Sequence, residues 1–227
     1  AVLQGYLRLY RQRGGALLTN SAVTGLSYSL GQWQVALSDR QITAPIIVNA
    51  AGAWADEVAA LASLKPLGLM PKRRTAILLN APALADIKDW PMVIDVDEQF
   101  YFKPDAGQIL LSPADETPSL PCDAQPEELD IAIAMDRFLA VVDLDIKSIN
   151  HSWAGLRTFA PDKTFVVGFD PIAKGFFWLA GQGGYGVQSS PGMSQLVRHL
   201  ILQSALPTGY ERIKASVEAV SPTRFSS

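Results

Sequence analysis

Two groups of residues in this chain have types and spacing suited to chemistry. The first is Gly181-Gln182-Gly183-Gly184-Tyr185-Gly186, four glycines in six residues. It follows an apolar run, Phe176 to Ala180, with the length and aromatic content of a buried strand. After it, Met193, Leu196, Val197, Leu200 and Ile201 recur at spacings of three and four, as on an amphipathic helix. Strand, glycine turn and helix bring bare backbone N–H groups against a ligand at the positive end of a helix dipole. The plainer account is a helix start that needs a positive φ. One glycine would satisfy that, and four exceed it.

The second group is Arg74, Tyr101 and Arg157, on three separate predicted strands beside aromatic or apolar neighbours. Arginine with an aromatic hydroxyl suits a carboxylate, offering a bidentate fork and one added donor. Each residue alone has a plain alternative. Arg74 could be a solvated strand end, Tyr101 a core ring, and Arg157 half of a structural ion pair.

The elements that must position these residues follow from composition and pattern. The chain has 227 residues, 48% hydrophobic and 18% charged, enough for a sizeable core in one domain or two small ones. A net charge of −3 without a basic block argues against nucleic acid. One cysteine, Cys122, excludes an internal disulfide and suits a reducing, cytoplasmic setting. His151 and His199 are too few and too scattered for a metal cluster. The longest apolar runs are broken by Asp56 or by Asp136-Arg137, so no transmembrane segment is expected. The N-terminus shows no cleavable signal pattern.

In order, Val2, Leu3, Tyr6, Leu7 and Tyr10 form a helical stripe ending at Gly14-Gly15. Strands are expected at Ala16–Thr19, Ala22–Ser29 and, after a turn at Gly31, Trp33–Leu37. Ile46-Ile47-Val48 reads as a strand covered on both faces. It leads through Asn49-Ala50-Ala51-Gly52 into a helix carrying Val58, Ala59, Leu61 and Ala62. Such a strand, small-residue turn and helix is half of a dinucleotide-binding unit, a weak signal alone because many α/β turns share it.

The middle of the chain changes character. A strand is entered through Arg73 and Arg74, and Phe100–Phe102 and Gln108–Ser112 flank a polar hairpin turn. Residues 113–126 read as a loop, and Glu127–Val142 as a helix with a stripe of Ile131, Met135, Phe138 and Val142. Strands Asn150–Thr158 and Thr164–Phe169 follow. Strands, one long helix, then strands make a mixed α+β platform distinct from the dinucleotide half.

Several of these strings have a familiar counterpart. GFFWLAGQGGYGVQSS, VNAAGAW, RRTA, FYFKPDAG and WAGLR resemble segments of the FAD-dependent D-amino-acid oxidase family, in order and separation, most closely its D-arginine dehydrogenase branch. The resemblance runs along nearly the whole chain, with SPTR near the end similar to the family's SPRR. It implies an α/β, glutathione-reductase-like FAD-binding part, truncated, beside a mixed-sheet substrate-binding part. Residues 1–64 and 164–204 would form the first, 65–163 the second and 205–227 a tail.

For the cofactor, the resemblance implies that Gly183, Gly184, Tyr185, Gly186, Val187 and Gln188 lie along the isoalloxazine and its N1–C2=O edge. Ala51 and Gly52 would pack beside the adenosine and pyrophosphate, and the backbone of Val23 would meet the adenine. For a D-amino-acid substrate, Arg74 and Arg157 would bind the α-carboxylate with Tyr101, and the Gly155 carbonyl would accept from the amine. Arg73 is expected to be an exposed neighbour, because adjacent strand residues point to opposite faces. No side chain is assigned as a catalytic base.

The departure from the family is an absence. The βαβ unit with which it opens, bearing the G-x-G-x-x-G pyrophosphate turn, has no counterpart here, nor do the residues that read the substrate side chain. On this reading a segment on the order of 150 residues is missing, and the chain alone should hold FAD weakly or not at all. The expected function is oxidation of D-amino acids by hydride transfer from Cα to flavin N5. A glycine- or sarcosine-type oxidase and a non-catalytic carboxylate-binding fragment are the alternatives.

Overall fold

A computed structural model describes residues 2–82, 86–205 and 214–225. The apolar stripe at the start forms helix α1 (Val2–Gln12), stopped by Gly14 at φ 84°. None of its residues is buried, so the stripe made the helix without finding a cover among the described residues. Strands β1 (Val23–Ser29) and β2 (Gln32–Leu37) join through Leu30-Gly31, at φ 52° and 83°. Two successive positive φ values are what a tight twisted hairpin demands. Strand β3 (Gln41–Ala44) extends this antiparallel sheet on β2. The sequence reading missed β3, which is too short to show alternation. It also placed a strand at Ala16–Thr19 where the chain forms none, because nothing among the described residues pairs with that segment.

Strand β4 (Ile47–Asn49) ends in a turn fixed by its own asparagine. Asn49 is 4% exposed, and its amide donates to the Ala55 carbonyl at 2.8 Å while its oxygen accepts from Ala51 N–H at 3.3 Å. Gly52, at φ 58°, then opens a 3₁₀ turn (Gly52–Trp54) into helix α2 (Ala55–Leu61). Asp56 accepts from the N–H groups of Leu67, Gly68 and Leu69 at 2.8–3.0 Å, which ties the exit of α2 to the next strand.

That strand is β5 (Met70–Leu79), within a six-stranded antiparallel sheet. Its members are β6 (Val93–Ile94), β7 (Tyr101–Asp105), β8 (Gln108–Ser112), β9 (Thr117–Pro118) and β10 (Ile149–Phe159). The order is β10-β5-β8-β7-β6, with β9 on β5. Ala106-Gly107, at φ 50° and 82°, makes the β7–β8 turn. Residues 113–126 are therefore not all loop, since Thr117 and Pro118 pair with Arg73 and Lys72. Helix α3 (Glu128–Leu139) lays Ala134 and Phe138 on Ile77, Leu79, Phe102, Ile109 and Leu111.

The third sheet orders β11 (Val166–Phe169), β12 (Phe176–Ala180) and β4, with β12 parallel to β4. Helix α4 (Gly186–Leu202) packs over β11. Val48, opposite Phe177 on that side, stays 41% exposed, so β4 is not covered on both faces as expected. It is an edge strand of this sheet among the described residues. Within α4, Pro191 cannot donate to the Val187 carbonyl, and the Ser190 hydroxyl does so instead at 2.8 Å. The expected tail is structured over its described part. Helix α5 (Lys214–Val220) and a 3₁₀ turn (Pro222–Phe225) pack on β11, with Pro222 buried against Gly168. Residues 206–213 lie outside the described residues.

Candidate functional site

Sheet parity decides which side chains meet. Side chains alternate along a strand, and directly opposite residues share a face. Ile77, Leu79, Leu111 and Phe102 face α3. Lys72, Arg74 and Ala76 therefore face away from it, as does Tyr101, the neighbour of Phe102. The β5–β10 register sets Gly155 opposite Arg74 and Arg157 opposite Lys72. Arg74, Tyr101, Gly155 and Arg157 thus lie on one face of one sheet. Gly155 is exposed there, and a β-carbon on it would meet nothing within 4 Å.

The two arginines differ in their surroundings. The Arg74 Nε donates to the Asp115 carbonyl at 2.8 Å, and its Nη2 lies 3.5 Å from Glu116 Oε1. Arg157, half-buried, makes no ion pair among the described residues, so its fork is open to a ligand. Arg73 corrects the expectation of an exposed neighbour. It does point to the opposite face, but there its side chain is only 13% exposed, bonded to Glu127 and, at 2.8 Å, to Asp130 of α3. Burial opposes its charge, yet the bonds from Glu127 and Asp130 outweigh that and raise its pKa.

Two charged residues that the sequence reading passed over complete this face. Glu116 accepts from Lys72 Nζ at 2.8 Å, and that bond, helped by the nearby charge of Arg74, holds its carboxyl below the ordinary 4.5. The Lys72 ammonium also stands 5.2 Å from the centre of the Phe159 ring. Nothing in the loop sequence marked Glu116, because its role depends on where β9 pairs.

The glycine turn docks on the end of β10. Gly183 N–H donates to the Thr158 carbonyl at 2.9 Å, and a β-carbon on Gly183 would stand 2.5 Å from Phe159 Cε1. On Gly184 it would stand 2.8 Å from Arg157 Nη1. Gly181 and Gly183 adopt φ 71° and 52°, which a side chain would strain. Helix α4 starts at Gly186, with Tyr185 at the N-cap making no side-chain cap. The N–H groups of Gly186, Val187 and Gln188 belong to the first turn and have no intrahelical acceptor. Tyr185 and Val187 are exposed, as is Gln188.

Ala51 and Gly52 line a crevice of about 450 Å³ together with Trp54, Cys122, Ala154 and Gly155. Two residues expected at the cofactor and one expected at the substrate thus share one opening. Val23 does not join them. It lines a separate groove of about 540 Å³ with Tyr10, Leu26, Ile42, Val48 and Asn49.

These features fit the edge of a planar, partly anionic group such as a flavin. First-turn N–H groups lie together at a helix start, and the buried Gln182 Nε2 has no partner among the described residues. Gly181, Gly183 and Gly186 themselves carry the G-x-G-x-x-G spacing, a match the sequence reading did not remark. However, α4 is not followed by a parallel strand among the described residues, so the turn is not part of a βαβ unit. Among those residues no group of three or more His, Cys, Asp or Glu is placed to hold a metal ion. No described helix is long and apolar enough to cross a membrane.

The architecture thus sets a glycine turn and an uncapped helix start against the end of an arginine-bearing antiparallel sheet. The family described as FAD dependent oxidoreductase (DAO) matches residues 1–200, and the chain belongs to that family. It is 27% identical over 195 residues to FAD-dependent oxidoreductase domain-containing protein 1 of Xenopus laevis, covering 76% of this chain and 38% of that protein. Among solved structures it resembles L-proline dehydrogenase from P. horikoshii, with a TM-score of 0.77 and 24% identity over 95% of this chain and 56% of that one. Glycine oxidase from Geobacillus kaustophilus gives a TM-score of 0.77 at 22% identity, over 93% and 54% of the two chains. The chain spans about half the length, or less, of the proteins it matches.

Proposed function

We propose that this chain carries the flavin-edge and substrate-carboxylate part of an amino-acid oxidoreductase, acting on D-amino acids of the D-arginine type. The observation that carries the reading is the contact of the open Arg157 fork with Gly184, on the same sheet face as Arg74 and Tyr101. A carboxylate held by that fork sits beside the turn assigned to the cofactor. The likeness of RRTA, FYFKPDAG and WAGLR to the D-arginine dehydrogenase branch supports the substrate type. Residues 1–64 and 164–204 form the flavin-facing part and 65–163 the substrate part. The β4–β12 pairing within the first set, and the six-stranded sheet lying wholly within the second, support that division. A cytoplasmic location belongs to the same reading and rests on the single cysteine.

In this reading Gly183, Gly184, Tyr185, Gly186, Val187 and Gln188 hold the ring edge, and Ala51, Gly52 and Val23 the nucleotide end. Bound FAD supplies a two-electron acceptor for the Cα hydride, leaving an imine that water hydrolyses to the 2-oxo acid and ammonia. The chain's own contribution is orientation and electrostatics. Arg157 and Arg74 fix the carboxylate, Tyr101 adds a hydroxyl donor, and the Gly155 carbonyl accepts from the amine. The first N–H groups of α4 stabilise negative charge at the ring edge.

The test is anaerobic mixing of the FAD-loaded, full-length protein with D-arginine, other D-amino acids, their L-forms, glycine, sarcosine and L-proline. Bleaching of the oxidised flavin by D-arginine ahead of the rest is the expected result. Preferential bleaching by glycine or sarcosine would replace it with the second reading, which the fold likeness to glycine oxidase favours. Carboxylate binding without bleaching would leave a non-catalytic binding protein.

A further inference from the structure

Glu116 is held in place from both sides. Its predecessor Asp115 accepts from Thr75 N–H at 2.7 Å and from the Thr75 hydroxyl at 3.0 Å. Its successor Thr117 pairs with Arg73 in the β9–β5 ladder. Between these anchors the Glu116 carboxylate lies over the Lys72–Arg74 side of β5. It meets Lys72 at 2.8 Å and Arg74 more loosely, at 3.5 Å. Arg74 is 13% exposed, whereas Glu116 is 41% exposed and able to withdraw. An arginine whose Nε is already given to a backbone carbonyl keeps one edge for a second acceptor, and Glu116 stands beside it.

We propose that Glu116 is a specificity-determining residue: an internal carboxylate that competes with the substrate carboxylate for Arg74 and penalises substrates bearing a second negative charge. The proposal rests on the amino-acid oxidoreductase reading above. The physical basis is Coulombic. A fixed negative charge beside the binding arginine lowers the net positive potential the incoming carboxylate meets. It repels an anionic side chain and is neutral or favourable toward a cationic one. Because the contact with Arg74 is long and partly exposed, the effect on a single carboxylate is modest, while a dicarboxylate meets the repulsion twice.

The experiment compares the FAD-loaded, full-length protein with its Glu116→Gln variant, which keeps an acceptor for Lys72 and removes the charge. Steady-state kinetics use D-alanine, D-glutamate and D-arginine at low and high salt. For D-alanine, KM should fall roughly two- to fivefold with kcat unchanged, because competition acts on binding alone. For D-glutamate the fall should be larger, on the order of tenfold, and should shrink at high salt. D-Arginine should gain least or lose affinity. Glu116→Asp, which keeps the charge, should behave as wild type. A variant with unchanged ratios among the three substrates overturns the proposal, as does one that loses kcat uniformly. If the wild-type protein oxidises none of the three, the D-amino-acid reading fails and takes this proposal with it, a result distinct from an active enzyme indifferent to Glu116.

Discussion

The guanidinium of Arg157 and the backbone of Gly184 are in contact, so close that a β-carbon on Gly184 would stand 2.8 Å from Nη1. The contact spans two elements distant in sequence, the end of β10 and the turn before α4. It makes the arginine's position depend on a missing side chain. A side chain at 184 would displace the fork from this position.

Replacing Arg157 by Met keeps the stem and removes the fork, so packing should change little. A desolvated carboxylate deprived of a charge-assisted bidentate partner loses about 2–5 kcal/mol of binding. In the FAD-loaded protein we expect kcat/KM to fall accordingly, through KM and, because Cα is misaimed, through kcat as well. Arg74→Met should lose less, since part of that fork already serves Asp115 and Glu116. Wild-type kcat/KM in Arg157→Met would make the residue structural.

Gly184→Ala and Gly183→Ala separate site geometry from folding. At Gly184 the atom in the way is the far end of a flexible arginine, which can swing aside. Tm should stay within about 2 °C while KM rises. At Gly183 a methyl group meets the Phe159 ring at 2.5 Å with φ at 52°, and neither yields easily. That variant should lose about 1–2 kcal/mol from the backbone alone, with more from the clash. Differential scanning calorimetry beside steady-state kinetics would read both, and equal Tm losses would contradict the assignment.

Arg73→Met tests the parity of β5. Its nearest partners are Glu127, at the start of α3, and Asp130 on α3, with Asp115 Oδ2 farther off at 3.9 Å from its Nε. Stability should fall by about 2 kcal/mol, less than for a fully buried pair because Glu127, 61% exposed, is readily hydrated once unpaired. KM should not move. A denaturant titration with parallel kinetics would distinguish this from a substrate role.

Asp162 ties the C-terminal 3₁₀ turn to the loop before β11. It accepts from Arg224 Nε at 2.7 Å and Nη2 at 3.1 Å, and that pairing lowers its pKa from the ordinary 3.8. A lowered carboxylate pKa contributes stability above the unfolded value, lost as pH falls through the folded one. The contribution should be constant from neutral pH down to about 4 and fade below it. Melting curves of wild type and Asp162→Asn should therefore converge only at acid pH. Convergence at neutral pH would show the pair to be inert.

Much of the fold was legible because it rests on local rules. The stripe of α4, the φ-demanding pair Ala106-Gly107 and the apolar run of β12 each announce themselves within a dozen residues. The residue types proposed for the site, glycines for backbone approach and arginines for a carboxylate, are likewise local features of the sequence. The short strands β3 and β9 stayed hidden, since two or four residues carry no period and are strands only by virtue of a partner. For the same reason Ala16–Thr19 looked like a strand and is none. Arg73 shows the limit most plainly. Alternation told that it points away from Arg74, but not that α3 brings Glu127 and Asp130 to meet it. The exposure of Val48 likewise depends on β4 ending its sheet. Residue chemistry and periodicity belong to the sequence. Which arginine is left with an open fork, and which carboxylate already leans on its neighbour, depends on register and packing between segments far apart in the chain, and only the tertiary structure decides it.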